Sequence, residues 1–349
     1  MSLRRMILSF ILLSTVVVYT GCDSSKSPAA VAGDSAVDTN YLKLEDVKKA
    51  EGESKFGYKF EKGDKFTYKI AFVNTVSQET KIDTVMKQSM DQQNVLVIDF
   101  EVKDVDKDTI AEVEVSTKSI YVKSEMNGEK KEYKTGDKLD SLKKLDFGFY
   151  EAITSNSFFA RIDKRGNIRE IFRVDKIVEA VLPQGKDSIP AQQKEMAADE
   201  IKNNLKGMIM QVFRSFSPGT LKANETYRDA KPPVNDPSGM YQLLATQLYT
   251  LTEKGKFNGS NLSVIEAGYD ASYNFNPELA KQGIKVDKSV ITGGGKVFYN
   301  DDQGKLQKSK TNLIEEVAFS GKIPDKAGKL TDFTSVKKSR VVNVVERIK

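Results

Sequence analysis

The chain of 349 residues contains no histidine, no tryptophan and one cysteine. Without imidazole and with a single thiol, it cannot build a Ser-His-Asp triad, a Cys/His nucleophilic pair, or a zinc, copper or haem site that needs those ligands. A single cysteine also excludes an intrachain disulfide, so the core alone must hold the fold. Carboxylate pairs, Ser/Lys dyads and calcium sites stay open, but none has a recognisable motif. We therefore expect a protein that is not an enzyme and uses no cofactor.

A strong charge imbalance is also lacking. The chain has 54 basic residues against 49 acidic ones, a formal net charge of +5 at pH 7. A balance this close argues against a nucleic-acid partner, which basic domains attract through the phosphate backbone. The hydrophobic content of 39% is still sufficient for a core.

The only cysteine, Cys22, follows a short apolar leader. Two arginines precede an apolar run over residues 6–18. That run is shorter than the roughly 20 residues that a membrane-spanning helix needs, and it fits the apolar region of a secretory signal peptide. We predict a signal peptide over residues 1–21, cleaved between Gly21 and Cys22.

The end of this leader resembles the lipobox of bacterial lipoproteins. Thr20 and Gly21 occupy the positions before the cysteine, and Tyr19 stands where leucine is usual. The resemblance implies that Cys22 carries a diacylglyceryl thioether and becomes the new N-terminus. Its acyl chains would anchor the protein in a membrane of the bacterial cell envelope, facing the periplasm. An ordinary signal peptide with a chance cysteine near its cleavage site is the alternative.

After the leader, residues 22–55 are predicted to form a flexible tether. They are mostly small and polar, and such a segment buries too little apolar surface to order itself. From residue 56 to 349 we expect a single β-rich domain. Its predicted parts are a first meander over 56–173, a helix pair over 174–219 and a second meander over 220–349.

Period-two alternation indicates strands on both sides of the helix pair. The clearest example is a strand with one buried and one wet face, whose buried face carries Phe66, Tyr68, Ile70 and Phe72. Turn-forming residues predict hairpin turns at 127–128, 163–166 and 300–305. A further turn is predicted at 91–94, after a strand over 81–88.

These patterns predict a mainly β (α+β) fold. We expect curved antiparallel sheet in two meanders, with a helical hairpin at about 174–216 packed between or against them. The run Gly293-Gly294-Gly295 lacks the Gly-Lys-Ser/Thr ending of a phosphate loop. It is therefore interpreted as a bulge or bend in a strongly curved sheet.

The period changes to that of helices over residues 174–182 and 190–216. In the second helix, apolar residues recur at spacings that put them on one stripe. The stripe consists of Ile201, Leu205, Met208, Ile209, Val212, Phe213 and Phe216. Such a stripe is either the core-packing face of a helix on a sheet or a surface for an apolar ligand or a partner. The sequence leaves both interpretations open.

Three motifs support a family resemblance. They are the sequence Lys-Gly-Asp-Lys-Phe at 62–66, a hairpin over 163–171 that leads into a helix, and the glycine-led pattern over 293–309. From about Tyr58 to its end, the chain resembles an uncharacterised family of exported bacterial lipoproteins. The resemblance implies no assigned activity. It implies a plan similar to the open barrels of lipoprotein carriers, in which a curved antiparallel sheet wraps around helices and leaves an apolar cleft.

We therefore expect a lipid-anchored, non-enzymatic binding protein of the cell envelope. Its ligand would be apolar, such as a lipid or an acyl chain, held between the concave face of the sheet and the helix stripe. The expected partners are the membrane, through the anchor at Cys22, and an apolar small molecule or an envelope protein, but no nucleic acid. Two alternatives stay open: a scaffold lipoprotein that binds another envelope protein, and a carboxylate-dependent envelope hydrolase.

Overall fold

Alternating apolar and polar residues build most of the chain into long antiparallel strands. The computed structural model describes residues 38–182, 190–215, 219–235, 239–324 and 329–349. Strands make up 59% and helices 15%, so the predicted fold class, mainly β, is confirmed. The predicted signal peptide with Gly21, the predicted lipid-bearing Cys22 and the stripe residue Phe216 lie outside the described residues.

The described residues form sixteen strands, numbered here in chain order. They are β1 (Glu45–Lys49), β2 (Glu53–Lys55), β3 (Lys65–Lys81), β4 (Val85–Val105), β5 (Ala111–Met126), β6 (Glu129–Lys134), β7 (Phe158–Ile162), β8 (Ile168–Phe172), β9 (Thr220–Lys222), β10 (Thr226–Ala230), β11 (Val234–Asn235), β12 (Tyr241–Phe257), β13 (Ser260–Phe275), β14 (Lys285–Asn300), β15 (Lys305–Pro324) and β16 (Leu330–Arg347). The longest strands belong to the two predicted meanders.

Fourteen of these strands form one sheet, with the order β1-β12-β13-β14-β15-β16-β3-β4-β5-β7-β8. In addition, β10 and β11 pair with β12, and β6 pairs with β5. The strand pairs are antiparallel, and the two meanders join where β16 pairs with β3. Strands β2 and β9 form a separate small sheet. Within the described ranges, the large sheet does not close on itself.

Four helices are present in the described residues: α1 (Ser141–Ser155), α2 (Asp175–Val181), α3 (Ala191–Ile209) and α4 (Glu278–Lys281). The predicted helix pair corresponds to α2 and α3, although α3 ends at Ile209 rather than at 216. The segment from 210 to 215 leaves the helix but keeps Val212 and Phe213 buried.

Helix α1 has no counterpart among the predictions from sequence. Asp140 caps its start, because the carboxylate accepts hydrogen bonds from the backbone N–H groups of Leu142 and Lys143. However, Leu142 and Leu145 are 77% and 84% exposed. Because these two leucines lie on the solvent-exposed side of α1, the sequence lacks the single apolar stripe by which an amphipathic helix is recognised.

One core cluster joins both halves of the sheet to the helices. It contains Ile98 of β4 and Val113 of β5 from the first half, and Ile265 of β13 and Val297 of β14 from the second. Leu205 of α3 belongs to the same cluster. Helix α1 packs against β5 and α2, and α3 packs against α2 and β8. The sheet therefore curves around the core, with these helices on its concave side.

The structure differs from the predicted tether at residues 38–55, which belong to the folded part of the chain. Strand β1 pairs with β12, and β2 pairs with β9. Between them Ala50 is 2% exposed, and its N–H donates to the carbonyl of Thr252 at 2.9 Å. Pairing with distant strands, rather than local apolar content, orders this segment. Residues 22–37 lie outside the described residues.

The predicted turn at 91–94 is wrong, because these residues lie inside β4. Gln92 pairs with Asn74, and Gln93 pairs with Val73. The chain turns instead at 82–84, within the predicted strand over 81–88. Long strands with polar residues in their middle produced this error, since polar clusters otherwise indicate turns.

The three glycines at 293–295 form no bulge, so one of the two predicted alternatives, a bulge or a bend, is wrong. They continue β14 in unbroken register with β15, from Gly293↔Leu313 to Gly295↔Thr311. A Cβ atom on Gly295 would lie 2.1 Å from the carbonyl oxygen of Lys310. Glycine is needed there because the two strands approach each other closely.

The three predicted hairpin turns are confirmed. Residues 127–128 join β5 to β6, 163–166 lie between β7 and β8, and 300–305 join β14 to β15. Asn127 and Gly128 both have positive φ, 53° and 88°, as the tight two-residue turn requires.

Candidate functional site

A cavity of about 860 Å³ lies between the concave face of β12 and β13, the segment that follows α3, and the turn between β7 and β8. The segment 231–234, which precedes β12, also lines the cavity and is the fourth part of its wall. These four parts are far apart in the sequence, and the curvature of the sheet brings them together.

The sheet wall of the cavity is largely apolar. Period-two alternation puts Leu243, Ala245, Gln247 and Tyr249 of β12 on the same face, and Tyr269 of β13 lines the cavity beside them. The hydroxyl of Tyr249 donates to Gln247 Oε1 at 2.7 Å. Burial raises the pKa of Tyr249 to about 12. The phenol is therefore neutral at physiological pH, and its hydrogen bond satisfies the polar end of a buried ring.

The second wall, called here the helix wall, consists of the end of α3 and the segment that follows it. A buried tyrosine holds this wall in place. The hydroxyl of Tyr58 donates to the carbonyl of Val212 at 2.9 Å and accepts from the N–H of Arg214 at 2.8 Å. Burial raises the pKa of Tyr58 well above its ordinary value. The ring of Phe213 packs edge-on against Tyr58, and the guanidinium of Arg214 donates to Ser309 Oγ at 2.9 Å. These contacts position Phe213 and Arg214 in the cavity lining.

The turn between β7 and β8 contributes the third wall. The carboxylate of Asp163 accepts from the N–H of Asn167 at 3.0 Å and pairs with Arg169 at 2.7 Å. Burial alone would raise the pKa of Asp163, but these hydrogen bonds lower it below its ordinary value. Gly166 has a φ of +85°, and a Cβ atom there would lie 2.6 Å from the ring of Tyr58. The turn therefore touches the same tyrosine that holds the helix wall.

The fourth wall is the segment Lys231-Pro232-Pro233-Val234. The N–H of Lys231 donates to the carbonyl of Ala245 at 2.9 Å, and Val234 pairs with Leu243. Proline has no N–H, so Pro232 and Pro233 present apolar rings without a backbone donor. Because Lys231 and Val234 both bond to β12, the two proline rings between them are held beside the sheet wall.

The stripe predicted on the second helix lies mainly in the core. Its described members all belong to the main core cluster or pack against it: Ile201, Leu205, Met208, Ile209, Val212 and Phe213. Among them Phe213 also lines the cavity. The side chains of β12 and β13 that form the sheet wall lie in the predicted second meander, but no motif marks them as a site. Only their alternation could have indicated that they share a concave face.

The described residues contain no group of three or more His, Cys, Asp or Glu side chains placed to hold a metal ion. Of the described helices, none has the length and the apolar character needed to cross a membrane.

Comparison with solved structures gives weak likenesses. A structure titled for lipid–protein interactions in lipovitellin is 12% identical and has a TM-score of 0.41. The matched region spans 82% of this chain and 25% of the lipovitellin chain. DynF from the dynemicin biosynthesis pathway of Micromonospora chersina is 6% identical, with coverages of 89% and 95% and a TM-score of 0.15. An outer membrane channel from Pseudomonas putida F1 is 7% identical, with coverages of 81% and 97% and a TM-score of 0.17. At these TM-scores the likenesses carry no argument about function.

None of the curated proteins matches the sequence. Residues 108–290, slightly more than half of the chain, match a family of unknown function, DUF6263. Every residue that lines the cavity lies within this segment. The match agrees with the predicted resemblance to a family without an assigned activity. The chain therefore belongs to the DUF6263 family.

Proposed function

We propose that the protein is a lipid-anchored, non-enzymatic binding protein of the bacterial cell envelope, which holds an apolar ligand such as a lipid or an acyl chain. The observation that carries this proposal is the cavity beside β12 and β13. Its volume of about 860 Å³ falls within the range of about 300–1,000 Å³ that is usual for small-molecule sites. Its sheet wall offers leucine, alanine and tyrosine side chains to a ligand.

The ligand lies at the end of the helix stripe rather than along it. Ile201, Leu205 and Ile209 are at most 4% exposed because the core covers them. The contacts left for a ligand on this side are Phe213 and the neighbouring Met210, which both line the cavity. Methionine adapts to apolar partners of different shape, which suits a site for flexible chains.

Bound lipid tests the proposal directly. The full chain carrying Cys22→Ala is purified without detergent, so that no covalent lipid is counted, and solvent extracts are quantified by mass spectrometry. We expect about one lipid per chain. Adding Ala245→Trp should abolish it, because the indole fills the cavity. Leu244→Trp is the matched control, since Leu244 is the next residue on β12 and points to the opposite face.

Equal lipid in the Ala245→Trp and Leu244→Trp forms would contradict binding in this cavity. A protein without any lipid, together with a single dominant protein partner in cross-linked cells, would favour the scaffold alternative.

Anchoring at Cys22 rests on the lipobox-like sequence of the leader. The folded part of the chain begins soon after Cys22 in the sequence. Asp38 already contacts the sheet, since its Oδ2 atom lies 2.6 Å from the ammonium of Lys308 on β15. Residues 22–38 reach at most about 3.5 Å per residue, on the order of 55 Å in total. Such a link would keep the cavity within a short distance of the membrane that supplies its ligand.

Metabolic labelling with radioactive palmitate tests the anchor. The unsubstituted chain should be labelled and should sediment with membranes, whereas the Cys22→Ala chain should do neither. Equal labelling of both forms would show that Cys22 does not carry the lipid, and an absence of label in both forms would favour an ordinary signal peptide with a chance cysteine.

A further inference from the structure

The cavity is lined by charges of one sign. Four cationic residues line it, Arg169, Lys206, Arg214 and Lys231, and its lining includes no aspartate or glutamate. The whole chain, in contrast, has nearly balanced charge. A partly enclosed site with cations on its walls attracts anions and disfavours cationic ligands.

The cations differ in what already neutralises them. Arg169 pairs with Asp163 at 2.7 Å, and Lys231 pairs with Asp229. Lys206 lies on the exposed side of α3 and has no carboxylate partner in the part of the chain that the structure describes. Its ammonium is therefore available to an anionic group that stays partly hydrated at the rim.

The charge of a second cation, Arg214, acts on the sheet wall of the cavity. Arg214 is 6% exposed, and its charge acts on the hydroxyl of Tyr249, whose pKa it lowers against the larger effect of burial. Lys206 and Met210 are four residues apart, so they lie on the same side of the helical turn. A ligand with its head at Lys206 would therefore have Met210 beside it, and Leu243 lines the same cavity.

We infer that the ligand is an anionic amphiphile, with a carboxylate or phosphate head at the rim beside Lys206 and an aliphatic chain against Leu243, Ala245 and Tyr269. This inference rests on the proposed function and specifies the ligand class of the same cavity. It separates anionic lipids from neutral or cationic ones with the same chain.

Binding of four probes with the same chain length tests the inference: hexadecanoate, hexadecyl phosphate, hexadecanol and hexadecyltrimethylammonium. Each is titrated into the full-length Cys22→Ala chain below its micellar concentration, at low and high salt. We expect the two anions to bind more tightly than the alcohol, with the cation weakest. The preference should shrink at high salt, because ions screen exposed charges. The stronger of the two anions identifies a carboxylate or a phosphate source.

Substitution at the rim locates the head group. Lys206→Gln should weaken hexadecanoate binding about twofold to fivefold, as expected for one exposed ion pair, and leave hexadecanol binding unchanged. Lys202→Gln is the matched control, because Lys202 lies one turn away on α3 and outside the cavity lining. It should change neither affinity.

The possible failures are distinct. Equal binding of all four probes, or equal loss in the Lys206→Gln and Lys202→Gln forms, would overturn the anionic head while leaving the apolar site in place. If none of the probes binds and no lipid is extracted from the purified chain, the proposed function itself is wrong.

Discussion

The hydroxyl of Tyr58 accepts a hydrogen bond from the backbone N–H of Arg214 at 2.8 Å, although the two residues are 156 positions apart in the sequence. The same hydroxyl donates to the carbonyl of Val212 at 2.9 Å. It thereby satisfies two backbone groups of the irregular segment that follows α3. One side chain from the first meander thus sets the path of the segment that carries Phe213 and Arg214 into the cavity.

Tyr58→Phe should destabilise the fold and weaken ligand binding. The substitution keeps the ring but leaves the Arg214 N–H and the Val212 carbonyl buried without their partner, at a cost of about 1–3 kcal/mol. Urea unfolding measures the loss. Tyr150→Phe is the control, because its hydroxyl is desolvated without a hydrogen-bond partner among the described residues. If both variants unfold at the same urea concentration, the Tyr58 hydroxyl does not hold this segment.

Gly166→Ala should be more harmful than an alanine at another positive-φ glycine. Gly166 has a φ of +85°, and the new Cβ atom would lie 2.6 Å from the Tyr58 ring and 3.0 Å from the carbonyl oxygen of Arg214. Left-handed backbone alone costs alanine about 1–2 kcal/mol. The contact adds to this cost, and it pushes the β7–β8 turn away from the cavity.

Gly128→Ala isolates the backbone effect in that comparison. Gly128 has a similar φ of +88°, but no atom lies within 4 Å of its added Cβ. Thermal unfolding of both variants should give the larger loss for Gly166→Ala, and only that variant should bind hexadecanoate less tightly. Equal losses would mean that the turn yields freely and does not define the cavity wall.

The parts of the fold that local chemistry decides could be predicted. Asn-Gly at 127–128 and the turn at 163–166 can be recognised from the local sequence, because their residues tolerate the required dihedral angles. Strand β3 was recognisable from Phe66 to Phe72, but its continuation to Lys81 was not. There Gln78 is buried and lies 3.3 Å from Ser335 Oγ of β16. A polar residue that finds its partner on another strand looks like a surface residue in the sequence.

An apolar cleft was expected, but most of the residues that line the cavity could not be predicted, for a related reason. Its walls depend on which strands become neighbours and on how far the sheet curves. Leu243 and Tyr269 follow ordinary strand alternation, and Lys206 looks like any solvated lysine on a helix. Strand β1 gives the same lesson, because its residues carry no apolar pattern and become ordered only by pairing with β12.

Asp38→Asn should loosen the start of the folded region. The side chain of Lys308 is 1% exposed and pairs with Asp38 at 2.6 Å and Glu346 at 3.2 Å. Losing one of two carboxylates leaves this buried ammonium less compensated. The carboxylate of Asp38 is itself half exposed, so we expect a loss of only about 1 kcal/mol. Asp104→Asn, in an exposed pair with Lys62, should have almost no effect.

The Asp38 contribution should also depend on pH. Burial would raise the pKa of Asp38, but hydrogen bonds from Lys308 and Asn40 lower it below its ordinary value. A lowered pKa in the folded state means that the carboxylate stabilises the fold above the ordinary value and loses this effect as the pH falls through the folded value. The difference between the unsubstituted chain and Asp38→Asn should therefore shrink in acid. A difference that stays constant from neutral to acidic pH would contradict the ion pair.

Two adjacent aspartates in the β14–β15 turn should respond in opposite directions to the same substitution. Burial raises the pKa of Asp301, and its Oδ1 atom is buried without a hydrogen-bond partner among the described residues. The pKa of Asp302 is lowered, because its carboxylate accepts hydrogen bonds from the backbone N–H and the side chain of Asn261. A raised folded pKa means that the charged form of Asp301 destabilises the fold at neutral pH, and that stability rises as the pH falls through that value.

Asp301→Asn should therefore stabilise the chain at neutral pH, by up to about 1 kcal/mol, because a neutral amide is cheaper to bury than a carboxylate. Its Oδ atom can still accept from Ser263 Oγ, which lies 2.9 Å from Asp301 Oδ2. Asp302→Asn should destabilise it, since the amide is a weaker acceptor for the Asn261 N–H than the carboxylate is. Urea unfolding at neutral and acidic pH checks both signs. Because the two residues share one turn, a general disturbance of the turn would lower the stability of both variants. Changes in stability of opposite sign are the result expected from the different environments of the two carboxylates.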